Sequence, residues 1–150
     1  MSARSSTAVP LRAVPRRRLA PSAMSLLQTA RHGLAEAAGA PESASRYVAA
    51  HLAALRAAAA VIAARAEPVV KGRGRPRSVW VLLPEAEPAL REWAAFFAAG
   101  AGKRAAAEAG LPRSVTVSEA DELLRDAEIF VSLVEITLGF DSQPMLPVAG

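Results

Sequence analysis

The chain has 150 residues, enough for one domain with one hydrophobic core and too few for two ordinary ones. It contains no cysteine, which excludes disulfides, cysteine zinc sites and thiol nucleophiles, and its two histidines, His32 and His51, are too few for a histidine-rich metal site. The net charge of +4 is unevenly spread: no acid precedes Glu36, whereas Arg4, Arg12, Arg16, Arg17, Arg18 and Arg31 do.

Apolar residues make up 52% of the sequence, and much of that share is alanine. Alanine buries little surface and favours helix above all other residues, so closely approaching helices are expected, with Trp80, Trp93, Phe96, Phe97 and Phe130 filling the gaps. The lack of cysteine suits a reducing compartment, and the expected location is cytoplasmic.

In chain order, residues 1–23 are basic and Ser/Pro-rich, a composition shared by organellar transit peptides and disordered tails; the disordered-tail reading is preferred. Arg16-Arg17-Arg18 leads into Leu19-Ala20-Pro21 without an apolar stretch, which argues against a secretory or twin-arginine signal. The bundle is expected over 24–138. Leu26, Leu27, Ala30, Leu34 and Ala37 recur at helical spacing and predict a first helix over 24–38, stopped by Gly39. A second helix opens at Pro41-Glu42 and runs to about Ala66. It is apolar almost all round, so it belongs at the centre of a bundle; His51 and Arg56 within its alanine-rich run argue against a membrane span.

Residues 67–78 form a basic, Gly/Pro-rich connection. Val79 to Leu83 is ambiguous between strand and helix, and its helical surroundings favour a short helical turn. Pro88 opens a third helix reaching about Gly110, with Gly100 and Gly102 as points of bending or close contact. Thr116 and Glu119 fit a capping box ahead of a fourth helix ending near Leu138. Residues 139–150 read as a flexible tail. The expected fold class is therefore all-α, an up-and-down four-helix bundle.

Two constellations carry chemistry. Arg46 and His51 lie five apart on the second helix, about 140° around its axis and about 7.5 Å along it. They could converge only if Arg46 leans across or a second protomer closes the site. A histidine of ordinary pKa can exchange a proton with a ribose 2′-hydroxyl or a leaving oxygen, and an arginine can hold the phosphate between paired N–H groups, so this pair suits metal-free RNA cleavage. The bland reading makes His51 a hydrogen-bonded residue of a buried helix and Arg46 a first-turn residue facing solvent. The second constellation is Lys71, Arg73, Arg75 and Arg77. Its Arg-Gly-Arg-Pro core is similar to an AT-hook, which enters narrow A·T minor grooves. The same residues suit non-specific phosphate contact or a solvated interhelical loop, and the loop reading is favoured.

The stretches SLLQTARHGLAEAAGA and SRYVAAHLAALRAAAAVIAAR, with SVWVLLPEAEPALREWAAFFAAGAGKRAAAEAG and EADELLRDAEIFVSLVE, resemble the HEPN superfamily (higher eukaryotes and prokaryotes nucleotide-binding), and within it a compact actinobacterial SAV-like branch. The resemblance covers residues 25–136. It implies a helical bundle that commonly dimerises. It also implies RNA as a ligand, no cofactor, and metal-independent ribonuclease activity in members with an Arg-x4–6-His motif, which Arg46 and His51 match. Here Tyr47 follows the arginine, where catalytic members usually carry Asn, Asp or His, and the pair lies on the second helix, not a later one. The resemblance equally allows a non-catalytic module that binds a protein partner such as a nucleotidyltransferase-type regulator. A DNA-associated role through the basic loop ranks last.

Overall fold

The computed structural model describes residues 20–65 and 77–140, and in these the backbone is helical throughout apart from turns. The helices are α1 (Pro21–Gly39), α2 (Ser43–Arg65), α3 (Val79–Ala86), α4 (Arg91–Ala99), α5 (Ala101–Glu108) and α6 (Val117–Leu138), with a 3₁₀ turn at Pro88–Leu90. Of the tails expected over 1–23 and 139–150, only residues 20–23, which lead into α1, and 139–140 are described; the rest, with Lys71, Arg73 and Arg75, fall outside the described residues.

α2 is the central element, packed against α1, α3, α5 and α6. Its small residues make this placement possible. Ala50, Ala53, Ala54, Ala57, Ala58 and Ala60 are completely buried together with Val61. On the facing side of α1, Gly33 leaves room for Ala53: a methyl group added there would sit 3.3 Å from the Ala53 Cβ. Two helices carrying Ala and Gly at their contact bring their backbones close and so bury the polypeptide itself. α2 is long and apolar enough to cross a membrane by composition, but its burial inside the bundle makes it the core helix of this domain.

Local signals set the ends of the other long helices. Pro21 occupies the first turn of α1, so that helix starts three residues before the periodic pattern suggests. At α6 the capping box forms as the sequence predicts: the Glu119 amide donates to Thr116 Oγ1 and the Thr116 amide to Glu119 Oε1, both at 3.0 Å. Gly139 closes α6 in the left-handed conformation at φ 73°. Across the bundle, Arg31 on α1 grips the buried Glu135 of α6 through two bonds of 2.7 and 3.0 Å. That pairing lets a carboxylate occupy an otherwise apolar interface.

The third quarter of the bundle departs from the expected single helix over 88–110. Two short helices and a 3₁₀ turn take its place, and the presumed turn at 79–83 is an eight-residue helix capped by Ser78. This segmentation lets Trp80 from α3 and Phe97 from α4 stack at 5.3 Å, with Phe97 5.1 Å from Phe130 of α6. Trp93 joins the same group, 5.5 Å from Phe130. Alanine-rich helices leave a gap that these few large rings fill.

The break between α4 and α5 falls at Gly100. Its φ of −87° suits any residue, so space is what selects glycine here. A Cβ at this position would lie 2.7 Å from the hydroxyl of the buried Tyr47 ring. Gly100→Ala should therefore cost about 1–3 kcal/mol of stability through overpacking. In a Tyr47→Phe background the cost should shrink to within about 0.5 kcal/mol, a coupling that denaturant titration of the four proteins would read as a double-mutant cycle. An equal cost in both backgrounds would mean that Tyr47 is not what requires the glycine.

Candidate functional site

Arg46 sits in the first turn of α2, where its side chain reaches back under the end of α1. Nε donates to the Ala37 carbonyl at 3.3 Å, Nη2 donates to the Ala40 carbonyl, and Nη1 pairs with the Asp121 carboxylate in the first part of α6. The last carbonyls of a helix have no intrahelical partner, and a guanidinium presents several donors in a rigid fork. Arg46 thus satisfies the end of α1 and ties it to α6. All three of its nitrogens are engaged.

His51 lies at the opposite side of α2 and is fully buried. Its Nε2 is 2.8 Å from the Phe97 carbonyl, near the end of α4. A carbonyl only accepts, so Nε2 carries the proton and Nδ1 is left as an acceptor. Arg104 of α5 donates to it from Nη1 at 3.3 Å. The ring stacks on Tyr47 at 6.3 Å and meets the rings of Trp80 and Phe97 edge-on at 6.0 and 5.9 Å. Burial pushes the imidazole pKa below its ordinary value; the hydrogen bond to the Phe97 carbonyl opposes this in part, the adjacent Arg104 adds to the lowering, and Glu108 pulls weakly the other way. His51 is a neutral, doubly bonded core residue. It joins α2 to the α4–α5 break.

The structure therefore does not bring the Arg46–His51 pair together. The two side chains leave α2 in different directions, one towards the α1–α6 edge and the other into the aromatic core. In this protomer no phosphate can lie between them. The physical reason was available in the helical angle: residues five apart do not share a face, and neither side chain bends back to compensate.

Of the basic set, Arg77 is described, exposed and paired with Glu85. His32 is exposed beside Arg31, whose guanidinium is taken by Glu135 and Ser132. The residue that sequence reasoning missed is Arg104. Fifty-three positions separate it from His51, and no local pattern links the two. Among the described residues, no three His, Asp or Glu side chains gather where they could hold a metal ion.

A family model described as HEPN_SAV_6107-like HEPN matches residues 35–135, about two thirds of the chain. Comparison with curated proteins and with solved structures finds no match in either set.

Proposed function

Because the chain belongs to the HEPN_SAV_6107-like HEPN family while its Arg46 and His51 are spent on holding the bundle together, we propose that it is a non-catalytic HEPN module that works through protein–protein contact, with a second copy of itself as the partner. The observation that carries this reading is the complete burial of His51 with both ring nitrogens occupied. A general acid or base must reach the proton that it transfers, and this imidazole meets only protein.

Electrostatics point the same way. RNA affinity rests mainly on cations meeting phosphates. The described residues hold twelve Asp and Glu against ten Lys and Arg. Six of those ten cations are already paired with a carboxylate: Arg31, Arg46, Arg65, Arg77, Lys103 and Arg104. In contrast, α6 presents Ile129 and Ile136 to solvent, two turns apart, with Leu133 between them. On α4, Phe96 is exposed next to Trp93 in a groove that Asp126 of α6 also lines. One helical stripe that meets its own copy across a two-fold axis buries twice its area from a single patch.

Purified protein incubated with RNA in a chelator should show no turnover, and His51→Ala should behave identically. Cleavage that disappears in His51→Ala would overturn the non-catalytic reading. In sedimentation velocity the protein should run as a dimer that Ile129→Asp/Ile136→Asp converts to a monomer with unchanged helicity. A native protein that sediments as a monomer would remove the self-association.

A further inference from the structure

A wide groove opens on the described surface beside the Arg46 clamp and away from the α6 stripe. It has about 700 Å³ of open volume, within the range of ligand-binding clefts, and is lined by the end of α1, the first half of α2 and the end of α5. Its floor is apolar, with Val48, Leu52, Ala107 and Leu111 among the lining residues. Three carboxylates, Glu36, Glu42 and Glu108, stand around it, and among the described residues no Lys or Arg lines it. Glu108 approaches Arg104 at 3.7 Å, whereas Glu36 and Glu42 have no cationic partner among the described residues. α5 ends here, and its C-terminal carbonyls add negative potential, whereas those of α1 are taken by Arg46. An apolar trough bordered by three carboxylates, two of them without a cationic partner among the described residues, fits an extended segment that carries arginines on either side of aliphatic residues.

The chain contains one such segment within reach. Arg4 to Arg12 reads Arg-Ser-Ser-Thr-Ala-Val-Pro-Leu-Arg, two arginines flanking Val9-Pro10-Leu11. Pro10 favours an extended backbone and so lowers the entropy lost on docking. The tether length agrees. From Ala20 to the groove is roughly the length of α1, whose 19 residues at 1.5 Å each span about 28 Å. Nine residues of extended chain, counted back from Ala20 to Leu11, cover about 30 Å. Arg16, Arg17 and Arg18 lie too close to the anchor to arrive there. The other basic segment is held at both ends. To meet Glu42 it would have to run back the full length of α2 from Arg65, about 34 Å, and Lys71 has only about 20 Å of chain available.

We infer that the groove between α1, α2 and α5 is a binding site for the chain's own N-terminal segment, with Arg4 and Arg12 meeting the Glu36, Glu42 and Glu108 carboxylates and Val9 and Leu11 seated on the apolar floor. This intramolecular contact is independent of whether the bundle is catalytic or dimeric. It makes the segment a tethered occupant that a partner's cationic peptide would have to displace.

The absence of cysteine allows a clean test on the full chain. A nitroxide attached through Ser6→Cys should broaden the amide signals of Ala49, Leu52 and Leu111, and leave those of the distant α6 end, such as Ile136, sharp. Glu36→Gln/Glu42→Gln changes two exposed carboxylates without touching the core, and should restore the broadened signals; Arg4→Gln/Arg12→Gln should do the same from the other side. Raised salt should weaken the effect, since the contact is largely between surface charges. Sharp groove signals in the labelled native protein, or broadening that survives both pairs of substitutions, would overturn the inference. So would broadening seen only between molecules, in a mixture of spin-labelled and isotope-labelled protein.

Discussion

His51→Ala is expected to destabilise the domain by about 3–5 kcal/mol, the cost typical of truncating a buried ring. The loss would have two parts. A cavity opens among Tyr47, Trp80 and Phe97, and the Phe97 carbonyl and the Arg104 guanidinium each lose a partner inside the protein. His51→Gln, whose amide can still donate towards Phe97, should recover part of this. Chemical denaturation of the three proteins at pH 7 gives the order directly. An Ala variant as stable as the native protein would contradict the structural role assigned to His51.

The same residue makes stability depend on pH. Its folded pKa lies below the ordinary value of 6.5, because burial opposes the charged form. Unfolded chain therefore takes up the proton before folded chain does. The contribution is fully present above about pH 6.5 and is lost progressively as pH falls from there towards the folded pKa. Protonation would also turn Nδ1 from acceptor to donor, facing the Arg104 guanidinium. The midpoint of thermal unfolding should accordingly drop between pH 7 and pH 5, and His51→Gln should flatten that drop. Glu119 does not confuse the measurement. Its carboxyl is held below 4.5, chiefly by the Thr116 amide, so its effect belongs to more acidic conditions.

The second large effect concerns Arg46. Replacing it with alanine removes the donors to Ala37 and Ala40 at the end of α1 and leaves Asp121 of α6 without its cation. A loss of about 2–3 kcal/mol is expected, within the range of charge-assisted hydrogen bonds and below their simple sum, because α1 can turn to water for part of what it loses. Arg46→Lys keeps the charge but cannot hold two carbonyls and a carboxylate at once, so it should fall between the two. Hydrogen exchange would locate the damage: faster exchange at the α1–α2 junction and the start of α6, with the α4–α5 segment unchanged. Uniform loss of protection would mean that the clamp is not local.

How much of this was legible beforehand differs by element. α1, α2 and α6 follow from periodicity, and the Thr116–Glu119 cap from a four-residue pattern, because such signals act between near neighbours on one helix. The segmentation of residues 79–108 was only half visible. Gly100 was readable as a bend, but the reason for it, the Tyr47 hydroxyl pressing on that position, comes from 53 residues away. The Arg46–His51 motif shows the limit most clearly. Its residue types suit ribonuclease chemistry, yet chemical aptness is a property of side chains one at a time, whereas a site needs them to meet.

By itself, then, the sequence determined the helical class, the ends of the long helices, the central place of the alanine-rich α2 and the confinement of excess positive charge to segments outside the bundle. Each of these depends on composition or on spacing within a few turns. The tertiary structure alone decided what Arg46 and His51 are for, since that depends on which carbonyls and cations other helices bring up to them. It also decided which carboxylates surround an open groove. Direction and burial are set by packing between distant parts of the chain, and no local spacing encodes them.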